Sequence, residues 1–90
     1  MQNATIGRIV HYTYAENDLD GQHQPLVGES RPAIVVAVWP NEFGERPGYN
    51  LQVFADGNND GKPTGLHWAT SRELVEEPTP GKCHWPKREG

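Results

Sequence analysis

Cysteine is nearly missing. Cys83 stands alone among 90 residues, so no disulfide can form within one chain. Long apolar runs are missing too. The longest, Ala33 to Trp39, falls far short of the ~20 residues that a membrane helix needs. Positive charge is scarce: Lys and Arg total 8 against 12 Asp and Glu, for a formal net charge of −4. A long nucleic acid needs a basic stripe to neutralise its phosphates, so none is expected as partner. A small nucleotide, held by one or two arginines, stays open. No charged stretch leads into an apolar one near Met1, so no signal peptide is expected and the cytoplasm is the expected location. The Asn3-Ala4-Thr5 sequon then carries no meaning.

What remains is one small domain. A chain of this length buries only ~60% of the surface its unfolded form exposes. Its long aliphatic residues are few and clustered, which makes a homo-oligomer the expected state.

The segments are strand-sized. Thr5 to Tyr14 is rich in β-branched and aromatic residues, with Ile6, Val10, Tyr12 and Tyr14 on one face and Ile9 and His11 on the other. Residues 15–31 read as one long polar loop, punctuated by Gly21, Pro25 and Gly28; loops of such length are functional or mobile. Pro32 to Trp39 fits a strand buried on both faces. Pro40 to Gly48 reads as a turn. Tyr49 to Ala55 alternates, with Tyr49, Leu51, Val53 and Ala55 inward. Asp56 to Gly65 is a hairpin loop leading to a fourth strand, Leu66 to Ala69. Thr70 and Glu73 form a capping box, which predicts one helical turn through Leu74 and Val75, stopped by Pro78. Lys82 to Trp85 completes a fifth strand, and residues 87–90 are expected to fray. This order predicts a mainly β, SH3-like small barrel spanning residues 1–90, with one short helical turn. An OB-like barrel would want a longer helix between its strands.

Chemistry-bearing motifs are sparse. Asp56, Asn58, Asp60 and Gly61 match the first half of a calcium loop, but His67 stands where a bidentate Glu belongs; a Gly/Asn hairpin loop is the plainer reading. His11 and His67 could be cross-strand neighbours near Cys83-His84, yet adjacent strand residues point to opposite faces. No metal or other cofactor is expected. Cys83 beside a histidine could make a nucleophile pair, but no nucleophile elbow is present. The Glu76-Glu77 pair beside Pro78 reads as solvated surface. Catalysis is not expected.

The aromatic residues Tyr12, Tyr14, Trp39, Tyr49, Trp68 and Trp85 are many for so small a core. Such rings fill a barrel or stack on a base; Trp39 and Trp68 read as core or half-core. Aromatic rings with arginines suit a nucleobase and its phosphate. The predicted ligand pocket therefore takes Tyr12 and Tyr14 from the first strand, Arg31 at the end of the long loop, Trp68, and Arg72 in the first helical turn, where backbone N–H groups also face an anion. His84 and Trp85 would close it, from the same chain or a second copy, because first and last strands of such a barrel can lie close.

Six motifs in order, Ile6-Gly7-Arg8-Ile9-Val10-His11-Tyr12, Pro32-Ala33-Ile34-Val35-Val36, Asn50-Leu51-Gln52-Val53-Phe54, Asp56-Gly57-Asn58, Trp68-Ala69-Thr70-Ser71 and His84-Trp85-Pro86, resemble a family of small bacteriophage proteins. The chain differs from that pattern between Asp60 and Gly65, where its hairpin is longer. The family is similar to phage anti-defence proteins that sequester host immune nucleotides, such as cyclic ADP-ribose isomers or cyclic dinucleotides. The resemblance implies a viral protein acting in the host cytoplasm, which binds and holds such a nucleotide without cleaving it. Two other roles stay open: an SH3-like protein-interaction or virion accessory module, and a nucleotide-cleaving phosphodiesterase.

Overall fold

A computed structural model describes residues 2–87. Five strands form: β1 (Ile9–Thr13), β2 (Ser30–Phe43), β3 (Arg46–Phe54), β4 (Leu66–Glu73) and β5 (Cys83–His84). Three short 3-10 segments, Glu16–Asp18, Gly21–Leu26 and Gly57–Asp60, are the helical parts of the described residues. The strands pair antiparallel in the order β4-β3-β2-β1-β5. The sheet curls until its ends meet: Leu74, just past β4, bridges Cys83, and the Val75 N–H donates to the Cys83 carbonyl at 2.8 Å. The fold is the expected mainly β, SH3-like small barrel, and β1 and β5 pair as foreseen, with Tyr12 opposite Cys83. No helix among the described residues is long and apolar enough to cross a membrane. Of the tail expected to fray, residues 88–90 lie outside the described part.

Strand alternation makes the core. Val10, Tyr12, Tyr14, Ala33, Val35, Tyr49, Leu51, Val53 and Ala69 all point into the barrel, each at most 1% exposed. Fully burying one large apolar side chain contributes ~1.5–3 kcal/mol. The Tyr49 hydroxyl accepts from the Ala4 N–H at 3.0 Å and ties the N-terminal segment under the barrel.

Several expectations need correction. β1 starts at Ile9 and not Thr5, because Gly7 turns the chain with φ +91. Ile6, expected inside, is exposed on that turn. The 15–31 loop carries two of the 3-10 segments and gives way to β2 at Ser30. Pro40 to Gly48 is mostly strand: β2 and β3 run on to a tight turn at Gly44 (φ +69). The prolines are tolerated because the β2–β3 ladder is irregular between Trp39 and Phe43. The Thr70–Val75 helical turn does not form. Arg72 and Glu73 instead pair with Tyr49 and Gly48 of β3, and Asn50 Oδ1 accepts from the Ser71 N–H at 2.9 Å. Cross-strand bonding supplies the partners that the capping box would have supplied. β2 is buried on one face only, since a single curled sheet has one inside.

Candidate functional site

The predicted pocket residues fall into three groups. The first lies under the 15–28 and 56–65 loops, where two buried carboxylates, Asp18 and Asp60, organise the contacts. Asp18 Oδ2 accepts from the Tyr12 hydroxyl and from the Ala15 N–H, both at 2.7 Å, while Oδ1 meets His67 Nε2 at 3.0 Å. Asp60 Oδ2 accepts from the Tyr14 hydroxyl at 2.6 Å, the Asp56 N–H at 2.8 Å and Arg31 Nε at 2.9 Å. Arg31 Nη2 closes a fork on Asp60 Oδ1 at 2.8 Å. Lys62 Nζ donates to the Asp18 carbonyl. A Cβ on Gly61 would stand 2.7 Å from His23 Nδ1, so the 56–65 and 15–28 loops touch there.

This network is saturated. Burial alone would raise the Asp18 carboxyl, but hydrogen bonds from His67, Ala15 and Tyr12 outweigh it and hold it at about 2. The Arg31 fork holds Asp60 well below the usual carboxylate range, against its desolvation, with Tyr14 and Asp56 adding to the effect. Burial, then the carboxylates they bond, push both tyrosine hydroxyls up. Each carboxylate is spent on ties between a loop and a strand. Tyr12 and Tyr14 have no exposed surface, and their rings meet Arg72 and Arg31 at 5.5 Å inside the protein. Arg72 is a β4 residue; its Nη1 donates to the Gly81 carbonyl at 3.3 Å, and no described group accepts from its buried Nε.

The second group is His84 and Trp85. His84 is buried edge-on to His11, with ring centroids 5.6 Å apart; burial, with His11 and Lys87 nearby, pushes it down. Trp85 lies under the Arg8 guanidinium at 4.9 Å, and its Nε1 donates to the Gln2 carbonyl at 2.9 Å. Trp68 forms the third group by itself. It sits opposite Gln52 on the outer face of the sheet, across the barrel wall from the tyrosines.

The candidate metal motifs resolve differently from their sequence pattern. In the half calcium loop, the Arg31 guanidinium takes both Asp60 oxygens. His11 and His67 are on opposite faces, the first outward and the second bonded to Asp18. Cys83 is buried and its thiol is pushed up to about 12, first by that burial; it stays protonated at neutral pH, where a nucleophile needs the thiolate.

The exposed chemistry lies on the outer face of β1–β4. Register places Ile9, Ile34, Gln52 and Trp68 in one row across four strands. One row on stand His11, Pro32, Phe54 and Leu66, and on the other side Val36, Ala37 and Trp39 extend along β2. Trp39 and Trp68 are each 49% exposed, and Ile9, Val36, Phe54 and Leu66 between 40% and 47%. These two rows and the β2 positions beside them hold no Lys, Arg, Asp or Glu, although 22% of the chain is charged. Glu42, whose side chain lies over Gly48, marks the rim.

No protein-family model, curated protein or solved structure matches this chain. The resemblance to phage proteins therefore stands on the six motifs alone.

Sequence reasoning missed the roles of Asp18 and Lys62, since nothing local marks a loop carboxylate as the partner of a strand tyrosine far along the chain. It also placed Trp39 and Trp68 toward the core. The available signal was alternation: both tryptophans are out of phase with the inward Tyr49–Leu51–Val53 and Ala69 positions they pair beside.

Proposed function

We propose that this chain is a non-catalytic protein-interaction module that docks a protein partner on the outer face of β1–β4. One observation carries the reading: a contiguous, uncharged face with two half-exposed tryptophans and a phenylalanine. Monomeric proteins seldom leave apolar patches this continuous without a binding role. Aromatic side chains are enriched at protein interfaces, and charged residues are depleted at their centres.

The nucleotide-sequestering role that the resemblance implies asks for a free ring face with a cation beside it. Of the free rings here, Phe54 and Trp68 stand among uncharged neighbours and Trp39 pairs with Gly48, over which the Glu42 carboxylate side chain lies, while Arg31 is spent on Asp60 and Arg72 lies over an enclosed tyrosine. The site chemistry suits a protein better than a phosphate.

The test is photo-crosslinking in cells that make the protein, with p-benzoylphenylalanine at position 54 on the face or at Asn17 on the opposite loop. Protein adducts from position 54 and none from position 17 are expected. Adducts only from position 17, or an intact cyclic nucleotide released from the purified protein by heat and seen by mass spectrometry, would overturn the proposal.

A further inference from the structure

We propose that His84 makes β5 an acid-opened latch: when its ring takes up a proton, the short strand parts from β1 and the barrel seam around Cys83 opens, while the rest of the sheet stays paired. Three features of the seam lead there.

The first is how little holds the strand. β5 is two residues long, Cys83 and His84, set against Tyr12 and His11 of β1. Beyond that ladder, the Lys82 carbonyl accepts from the Thr13 N–H at 3.1 Å, the Gly81 N–H donates to the Thr13 carbonyl at 2.8 Å, and the Cys83 carbonyl accepts from the Val75 N–H at 2.8 Å. Gly81 (φ +81) turns the chain just before the strand, and Pro86, with no N–H to give, stands just after it. Segments tied by so few bonds open at a lower free energy than the whole fold.

The second is the state of the His84 ring. The residue is 3% exposed, and no described group bonds its Nδ1. A neutral ring is tolerated there, whereas a buried charge without a partner is far costlier.

The third is the company it keeps. The titratable and charged groups that face it are His11 from β1, Lys87 from the chain after β5, and Glu77 from the connection between β4 and β5. His11 stands edge-on at 5.6 Å. Glu77 is the sole carboxylate among them; it is 74% exposed and taken by Lys87 Nζ at 3.1 Å. A proton on His84 therefore sits desolvated beside a second histidine and a lysine. Burial first, then His11 and Lys87, hold its titration below the ordinary 6.5. The parted strand carries no such penalty, so the open state binds the proton first. With the folded value lowered, closure is at full strength above 6.5 and weakens as pH falls through it. That span lies well above the one in which Asp18 titrates.

Cys83 reports on the seam directly, since it is the chain's one cysteine and has no exposed surface. Its labelling by dithiodipyridine, a reagent active in acid, is followed from roughly pH 7.5 to pH 5.5, the span in which histidine changes charge. Each rate is divided by that of the urea-unfolded chain at the same pH, so the ratio reads the open fraction. In wild type the ratio should rise several-fold across the span, toward the limit of about tenfold that one proton of unfolded value 6.5 sets. Small additions of urea should barely change it, because a local opening exposes little surface. His84→Gln and His84→Phe, each checked for fold by circular dichroism, should flatten the pH response. A flat wild-type ratio would overturn the latch. So would an equal rise in either folded His84 variant. A ratio that climbs with urea as steeply as global unfolding would also overturn it, since the whole barrel would then be opening.

Discussion

Asp60 shows how much one buried carboxylate can hold. It carries the Arg31 fork, the Tyr14 hydroxyl and the Asp56 N–H at once, with its side chain 1% exposed. Asp60→Ala leaves the Arg31 charge without its partner, and breaking a buried pair from one side costs ~3–5 kcal/mol. Tyr14→Phe removes one hydrogen bond to a charged group and should cost ~1.5–3 kcal/mol. Urea unfolding monitored by tryptophan fluorescence separates the two; equal and small losses would mean that the network holds little. Acid provides a second handle. Asp18 and Asp60 titrate below their unfolded values, so their contribution is present above the unfolded value of 3.8 and fades as pH falls through the folded ones. For Asp18, held at about 2, the span is about 2 kcal/mol, lost between roughly pH 4 and pH 2. Tyr12 and Tyr14 act in the opposite direction: with raised folded values, their contribution is complete below pH 10 and declines above it. A stability profile flat from pH 2 to pH 5 would contradict the carboxylate assignment.

At the scale of elements, β4 shows where local rules yield. Thr70 and Glu73 spell a helix start, but the pairing of Arg72 and Glu73 with β3 wins, and Ser71 absorbs the mismatch at φ +54. A left-handed non-glycine residue costs ~1–2 kcal/mol, and glycine adds back ~0.5–1 kcal/mol of unfolded-state entropy. Ser71→Gly should therefore stabilise the fold by ~0.5 kcal/mol in denaturant unfolding, whereas a helical Ser71 would lose stability on the same change. The loop contact at Gly61 gives the complementary case. Its φ is +71 and a Cβ would stand 2.7 Å from the His23 ring. Gly61→Ala should cost about 1 kcal/mol or more and speed amide exchange in both loops; unchanged exchange in residues 15–28 would show that the two loops are not coupled. The period-two pattern of β1 and β3 was legible because those strands are half buried and alternate plainly. β2 was not, since PAIVVAVW is apolar at every position and gives no phase. The outcome of its outer face depends on whether a second layer exists, which no local pattern records.

For the whole molecule, the barrel class followed from strand-sized segments in a suggestive order, and the first and last strands lie side by side as that order implied, with Tyr12 opposite Cys83. The placement of the aromatics did not follow. The rings grouped in sequence as one pocket are divided by the barrel wall: Tyr12 and Tyr14 inside, each locked to a carboxylate, and Trp68 outside in an uncharged row. A stacking site and a core plug have the same composition, and only the phase of each strand relative to the closure tells them apart. On the proposed reading, stability belongs to the Tyr–Asp end and docking to the outer face, and the two should separate under mutation. The direct measurement is the yield of protein photo-crosslinked from position 54 in three backgrounds: unchanged, Trp68→Lys and Tyr14→Phe, each verified as folded. The expected result is a yield lowered about tenfold by Trp68→Lys, as loss of an interface anchor implies, and kept in Tyr14→Phe. A yield that survives Trp68→Lys, or that is lost in a folded Tyr14→Phe variant, would contradict the assignment of docking to the outer face.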